Sequence, residues 1–253
     1  MLRYGLLLLL ISCATVRKSN WPRSTDLTGS AYYHLSAPFG WKQRDSLTEA
    51  AILRGNMPDF LRQFVPIHIR YLDSLTGKKT HLTFWTAPDY LSVGTNHDWA
   101  RVHVTARLAQ RLADTLQCFL PTPKMVDLIY QSAPIKLEPV PMYAYRDSTP
   151  TFWQHHLIVE GQRKGRKGLI AGIQKDIVQT DRLKQYPQND RVAIYGWHRL
   201  DGKPIQPLYL GHVWWYVDYS QGLRLIHSQL RVNGKWMHYR EVFQNPVLRK
   251  LIE

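Results

Sequence analysis

Cysteine is nearly absent from this 253-residue sequence, which holds only Cys13 and Cys118. That excludes a small disulfide-stapled scaffold. Acidic residues are short as well: 19 Asp and Glu face 33 Lys and Arg, for a formal net charge of +14. No His-Glu-x-x-His and no paired-cysteine motif occurs, which excludes those two zinc patterns despite eleven histidines. The apolar run Leu6 to Ile11 is too short to cross about 30 Å of hydrocarbon as a helix. What the chain does have is 44% hydrophobic residues, nine Trp and fourteen Tyr. Such a composition is that of a folded globular protein with an ample core.

Arg3 followed by Leu6 to Ile11 and then Ser12-Cys13 reads as a secretory signal over residues 1–12. Leu10-Ile11-Ser12-Cys13 resembles a bacterial lipobox, which implies removal of the signal, acyl chains on Cys13 and a stable membrane anchor. Residues 13–30 then read as a lipidated tether, polar and without apolar periodicity, and residues 31–253 as one globular domain. Acylation of Cys13 leaves Cys118 without a partner. At the end of a helical stretch it is expected in the core, the alternative being a nucleophile with a base nearby.

Ser46-Leu47-Thr48-Glu49 fits a capping box for a helix that Gly55 closes. Ile67, Ile69 and Tyr71 alternate with polar residues before the Thr76 to Lys79 turn, and Leu82, Phe84 and Thr86 alternate after it, predicting a hairpin. Thr105 caps one predicted helix; Thr122, with Pro123 at the first helical position, caps another whose buried side is Met125, Val126, Ile129 and Tyr130. The proline-rich stretch 133–150 suits an extended crossing loop. From Phe152 onward a period of two predicts successive strands, among them Leu157 to Val159, Arg191 to Tyr195, Val213 to Tyr219 and Leu230 to Val232, with hairpin turns at Asp201-Gly202 and Asn233-Gly234. Pro246 to Ile252 reads as a closing helical turn. The expected class is α+β, helices grouped in the N-terminal half and a mostly antiparallel sheet in the C-terminal half.

If Val213 to Tyr219 is a strand, His212, Trp214, Tyr216, Asp218 and Ser220 share one face. An imidazole beside a carboxylate is a base with its orienter. His212 is therefore the expected general base, Asp218 its orienter, Ser220 a nucleophile or polar contact and Arg224 an anion clamp, with His198 approaching from a neighbouring strand. The competing reading is an ordinary half-buried strand whose polar residues alternate with buried ones. No cofactor or metal is expected, although His198, His212 and Asp218 are chemically suited to an open zinc centre.

Gly211-His212 through Tyr216-Val-Asp-Tyr-Ser220-Gln-Gly222-Leu-Arg224, with Tyr195-Gly-Trp-His198, Pro204 to Pro207 and Leu120 to Asp127, resembles a family of secreted bacterial proteins of unassigned activity. In that family the serine stretch reads Tyr-Ser-His-Gly, where this chain has Gln221. Ala171 to Asp176 resembles the family's Gly-His-Lys-Lys-Asp pattern without its histidine, and the resemblance adds Lys175 and Asp176 as binding residues. The missing histidines leave a binding-only relative open. Ser220-Gln221-Gly222-Leu223-Arg224 is also similar to the Ser-His-Gly-Cys-x-Arg motif of L,D-transpeptidases, lacking its histidine and its cysteine; that likeness points to cell-wall substrates.

Arg163-Lys164-Gly165-Arg166-Lys167 reads as a charged turn or as a contact for an anionic surface. Secretion makes lipid headgroups or acidic wall polymers the expected partners and excludes nucleic acid. Trp153, Trp197, Trp214, Trp215 and Trp236 offer faces for stacking on sugars, with core packing as the alternative. Two functions are thus expected: a cell-envelope lipoprotein that hydrolyses or transfers a bond in an envelope glycan or peptide such as peptidoglycan, or a non-catalytic lipoprotein that binds an anionic envelope polymer or an envelope protein.

Overall fold

The computed structural model describes residues 16–188 and 190–253, so the signal segment and Cys13 lie outside the described residues. The class is α+β. Its largest sheet grows from the expected hairpin, Gln63–Leu72 against Lys79–Thr86, in register from Val65↔Thr86 to Leu72↔Lys79. Alternation is the reason: Ile67, Ile69, Leu82 and Phe84 are buried while His68, Arg70 and His81 face outward. A second hairpin, Gln229–Val232 and Lys235–His238, joins the same sheet through Arg231↔Thr83. Asn233 and Gly234 turn it with φ of 47° and 85°, the left-handed pair that a tight hairpin turn needs.

The inner face of this sheet packs on the helices Pro123–Ser132, Tyr239–Gln244 and Pro246–Ile252. The first follows its caps and spacing: Thr122 Oγ1 accepts from Met125 N at 3.1 Å, and Met125, Val126, Ile129 and Tyr130 are its buried residues. Thr105 likewise caps Ala106–Thr115. A second core lies beneath that helix and Trp41–Leu53, which starts before the expected capping box and closes at Gly55 with φ +83°.

Three expectations are corrected. Residues 149–163 are a helix and not strands, because Ser148 caps it, Pro150 sits in its first turn, and Phe152, His155, His156, Val159 and Arg163 recur at helical spacing on the buried side. Leu157 and Ile158, read as part of a strand, are exposed on this helix. The tether reading fails from residue 16 onward. Arg17–Lys18 pair with Gln63 and Phe64, Trp21 donates Nε1–H to Leu116 O at 3.1 Å and packs edge-on against Phe64, and Asn56 bonds both amide groups of Leu27. One aromatic and one amide side chain thus fasten a stretch whose polarity suggested solvent.

The third correction touches the site. Val213 to Tyr219 is a loop whose one backbone bridge among the described residues, Arg191↔Val213, is isolated and lies outside the strands. Asp218 and Ser220 are buried together with Val217 and Tyr219, while Trp215 is exposed, so no two-sided alternation exists there.

Candidate functional site

A four-stranded mixed sheet carries the site, in the order Pro204–Tyr209, Ile194–His198, Lys175–Ile177 and Gln221–Gly222; only the last pairing is parallel. Gly196 and Trp197 have φ of 106° and 57°. A left-handed Trp is uncommon and breaks the two-residue alternation. As a result Tyr195 and His198 reach the same acceptor although an ideal strand would set them on opposite faces.

That acceptor is Asp127, on the helix Pro123–Ser132. Its Oδ1 accepts from Tyr195 Oη–H and from His198 Nε2–H, both at 2.9 Å. Nothing among the described residues donates to Oδ2. His198 is buried and stacks on Tyr130 (centroids 4.5 Å apart, rings 17° from parallel), while the Asp127 side chain keeps 38% exposure. The group that meets solvent is therefore the carboxylate, with the imidazole behind it. Asp127 lines an open cleft of about 460 Å³ with Tyr130, Lys136, Tyr195, His198 and Asp201. That volume suits a sugar unit or a short peptide.

The residues expected to form a row after His212 do something else. Asp218 is fully buried and its acceptors are filled: Oδ1 takes Ser220 N–H at 3.0 Å and Ser220 Oγ–H at 2.7 Å, and Oδ2 takes Lys175 Nζ and Arg146 Nη2, each at 3.0 Å. Burial pushes its carboxyl up, but Lys175, Ser220 and Arg146 outweigh burial and hold it below the usual range. No hydrogen bond joins it to His212 among the described residues. His212 instead stacks on Tyr216, 4.3 Å between centroids, and burial followed by the Lys175 charge lowers its pKa. Ser220, without exposure and bonded to a weakly basic carboxylate, is a structural contact and not a nucleophile.

Arg224 and Asp176 form a third group, on the far side of the strand Lys175–Ile177. Arg224 donates to the carbonyls of Ala87 at 2.9 Å and Ile170 at 2.8 Å, lies over the Tyr90 ring, and places Nε 3.7 Å from Asp176 Oδ1. With 1% exposure it clamps backbone, not a ligand. Tyr90 Oη–H donates to Asp176 Oδ2 at 2.8 Å. Burial dominates and raises the Asp176 carboxyl to about 6, against the pull of Arg224. The sign is opposite to that of a paired carboxylate: with the folded value above the unfolded one near 3.9, the native state loses stability as pH rises through roughly 4 to 6. Asp176→Asn is therefore expected to gain on the wild type by up to about 3 kcal/mol between pH 4 and pH 7.5 in urea titrations. A constant difference across that range would show the carboxyl to be ionised throughout.

Of the tryptophans expected to bind, Trp197 is 6% exposed and belongs to the core, whereas half-buried Trp214 packs edge-on against Trp41 and lines a separate, largely apolar groove of about 470 Å³ with Leu120, Ile177 and Val192. Cys118 is a buried free thiol whose pKa burial pushes up, so it is core and not a nucleophile. The basic run is partly structural: Arg163 is buried, reaches Asp89 at 3.2 Å and donates to Arg166 O. His198, His212 and Asp218 share no group, and no set of three or more His, Cys, Asp or Glu among the described residues is placed to hold a metal ion.

The structure thus separates the predicted residues into three groups and adds Asp127, Tyr130, Tyr195 and Arg146. Asp127 has one signal in the sequence: it is the carboxylate within the Leu120 to Asp127 motif, on a helix whose apolar positions are otherwise accounted for. Together the fold and the cleft define an α+β domain with a carboxylate held by a histidine and a tyrosine at an open cleft. No known protein family, curated protein or solved structure matches the chain.

Proposed function

We propose that this chain is a lipid-anchored protein of the bacterial cell envelope whose domain hydrolyses or transfers a bond in an envelope glycan or peptide, with peptidoglycan the leading substrate. Leu10 to Cys13 supports the address, placing the domain in the periplasm or outside the cell. The observation that carries the chemistry is the Asp127 carboxylate on the wall of the cleft, fixed through Oδ1 by His198 and Tyr195 and with no donor to Oδ2 among the described residues.

Asp127 acts as general base. Its Oδ2 takes a proton from water, or from an acceptor hydroxyl or amine, as that group adds to the scissile centre; the same proton then passes to the leaving group. His198 and Tyr195 are positioning residues, and Lys136 offers a positive charge to a carboxylate or developing oxyanion. Lys175, Asp176, Asp218, Ser220 and Arg224 build the frame behind this cleft. The test is release of soluble fragments from purified wall material by wild type and Asp127→Asn at equal folded concentration. Equal rates reject the assignment.

A further inference from the structure

The outer face of the large sheet has a composition that the cleft does not use. Its strands at 17–18, 63–72, 79–86, 229–232 and 235–238 carry six Lys or Arg and no Asp or Glu. On this face Arg70, His68, His81 and Arg231 are exposed, and Trp236 keeps 54% exposure. Trp236 packs on Trp85 with centroids 5.0 Å apart, and the guanidinium of Arg17 lies 4.6 Å from its ring centre, that of Arg231 6.0 Å. Val16, Arg17, Lys18, Trp85, Arg231 and Trp236 line a groove of about 600 Å³. A tryptophan among cations is the side-chain set that settles at the boundary between headgroups and acyl chains.

We propose that this face docks on anionic phospholipid headgroups, with Arg17, Lys18 and Arg231 holding phosphate and Trp236 and Val16 entering the interface. The proposal rests on the reading of Cys13 as the lipid attachment point. From Cys13 to Val16 the chain spans at most about 11 Å, so an acylated Cys13 brings the groove to the bilayer surface. Charge complementarity then favours an anionic leaflet over a polymer in solution. The domain is thereby held with one sheet on the membrane.

The test uses the full chain, purified from membranes and reconstituted in phosphatidylcholine vesicles with or without phosphatidylglycerol. Cys118 is buried and Cys13 acylated, so a fluorophore on Gln229→Cys reports the groove and one on Ile158→Cys the helix 149–163. Spin-labelled lipid is expected to quench residue 229 and not 158, only in anionic vesicles and less at high salt. Neutralising Arg17, Lys18 and Arg231 to Gln should lower the docked-to-free ratio on the order of a hundredfold, about fivefold for each cation.

Quenching that ignores lipid charge or is equal at the two positions overturns the proposal. So does binding to soluble polyphosphate without quenching, which reassigns the face to a polymer. Intact mass tests the anchor separately. If acyl chains are missing, the anchor reading fails, and the same chain is sedimented with preformed vesicles: pelleting only with anionic vesicles, lost in the triple variant, upholds the face, and no pelleting overturns it.

Discussion

Asp218→Asn is expected to lose about 3–5 kcal/mol of folding free energy at pH 7, read as a lower urea midpoint with an unchanged slope. The reason is the company it leaves behind. Lys175 is 4% exposed and ion-pairs with Asp218 at 3.0 Å, while Arg146, at 46%, rehydrates when its partner is lost. An ammonium taken out of water with no counter-charge costs far more than the net worth of the pair. Asn preserves the shape and can still accept from Ser220, so the loss isolates the charge. Two further results follow from the same account. Because the folded carboxyl is held below its unfolded value, the advantage of the wild type is complete above about pH 5 and shrinks as acid protonates Asp218. Adding Lys175→Met to Asp218→Asn should recover much of the loss, because the buried charge is gone. A double variant as unstable as the two single losses summed would mean that the two side chains act independently.

This result also separates frame from site. The sequence placed Asp218, Ser220 and His212 in one row on the premise that Val213 to Tyr219 alternates, and polar residues crowded beside Gly222 then looked like chemistry. In the fold the same crowding is a buried network that fastens an irregular loop to the strand Lys175–Ile177. Residual folded Asp218→Asn protein should therefore still digest wall material.

Local signals were legible and long-range pairings were not, for a physical reason. Thr122 with Pro123, or Asn233 with Gly234, commits its own backbone within a few residues, and these elements form as read. The two hairpins of the large sheet follow because one buried face imposes a period of two on residues that pair close in sequence. The helix 149–163 was misread because Leu157-Ile158-Val159 is an apolar triplet that either periodicity can claim; Ser148 and Pro150 decided it. The cleft was out of reach. Asp127 and His198 stand 71 residues apart and meet where Gly196 and Trp197, both at positive φ, break the strand's alternation in a way that no side-chain pattern announces. His198 is itself among the candidates read from the sequence, but as a neighbour of the His212, Asp218 and Ser220 row and not as the partner of Asp127.

Asp127→Asn is expected to lower turnover of wall material by about 10²–10⁴-fold, the contribution of a positioned general base. The amide keeps a carbonyl oxygen for Tyr195 and His198, so the cleft retains its shape, but it offers no basic lone pair. Stability should change by only about 1 kcal/mol, since the side chain is partly solvated. His198→Gln and Tyr195→Phe are expected to cost less, on the order of tenfold each, because each disturbs or removes one of two donors to Oδ1 and leaves the base in place. They carry a second signature that a purely structural defect lacks. The loss falls on kcat with KM unchanged, because a donor to Oδ1 that does not touch substrate orients the base without binding the substrate. Should His198→Gln instead match Asp127→Asn in size, the imidazole and not the carboxylate would be the base, and Asp127 its orienter.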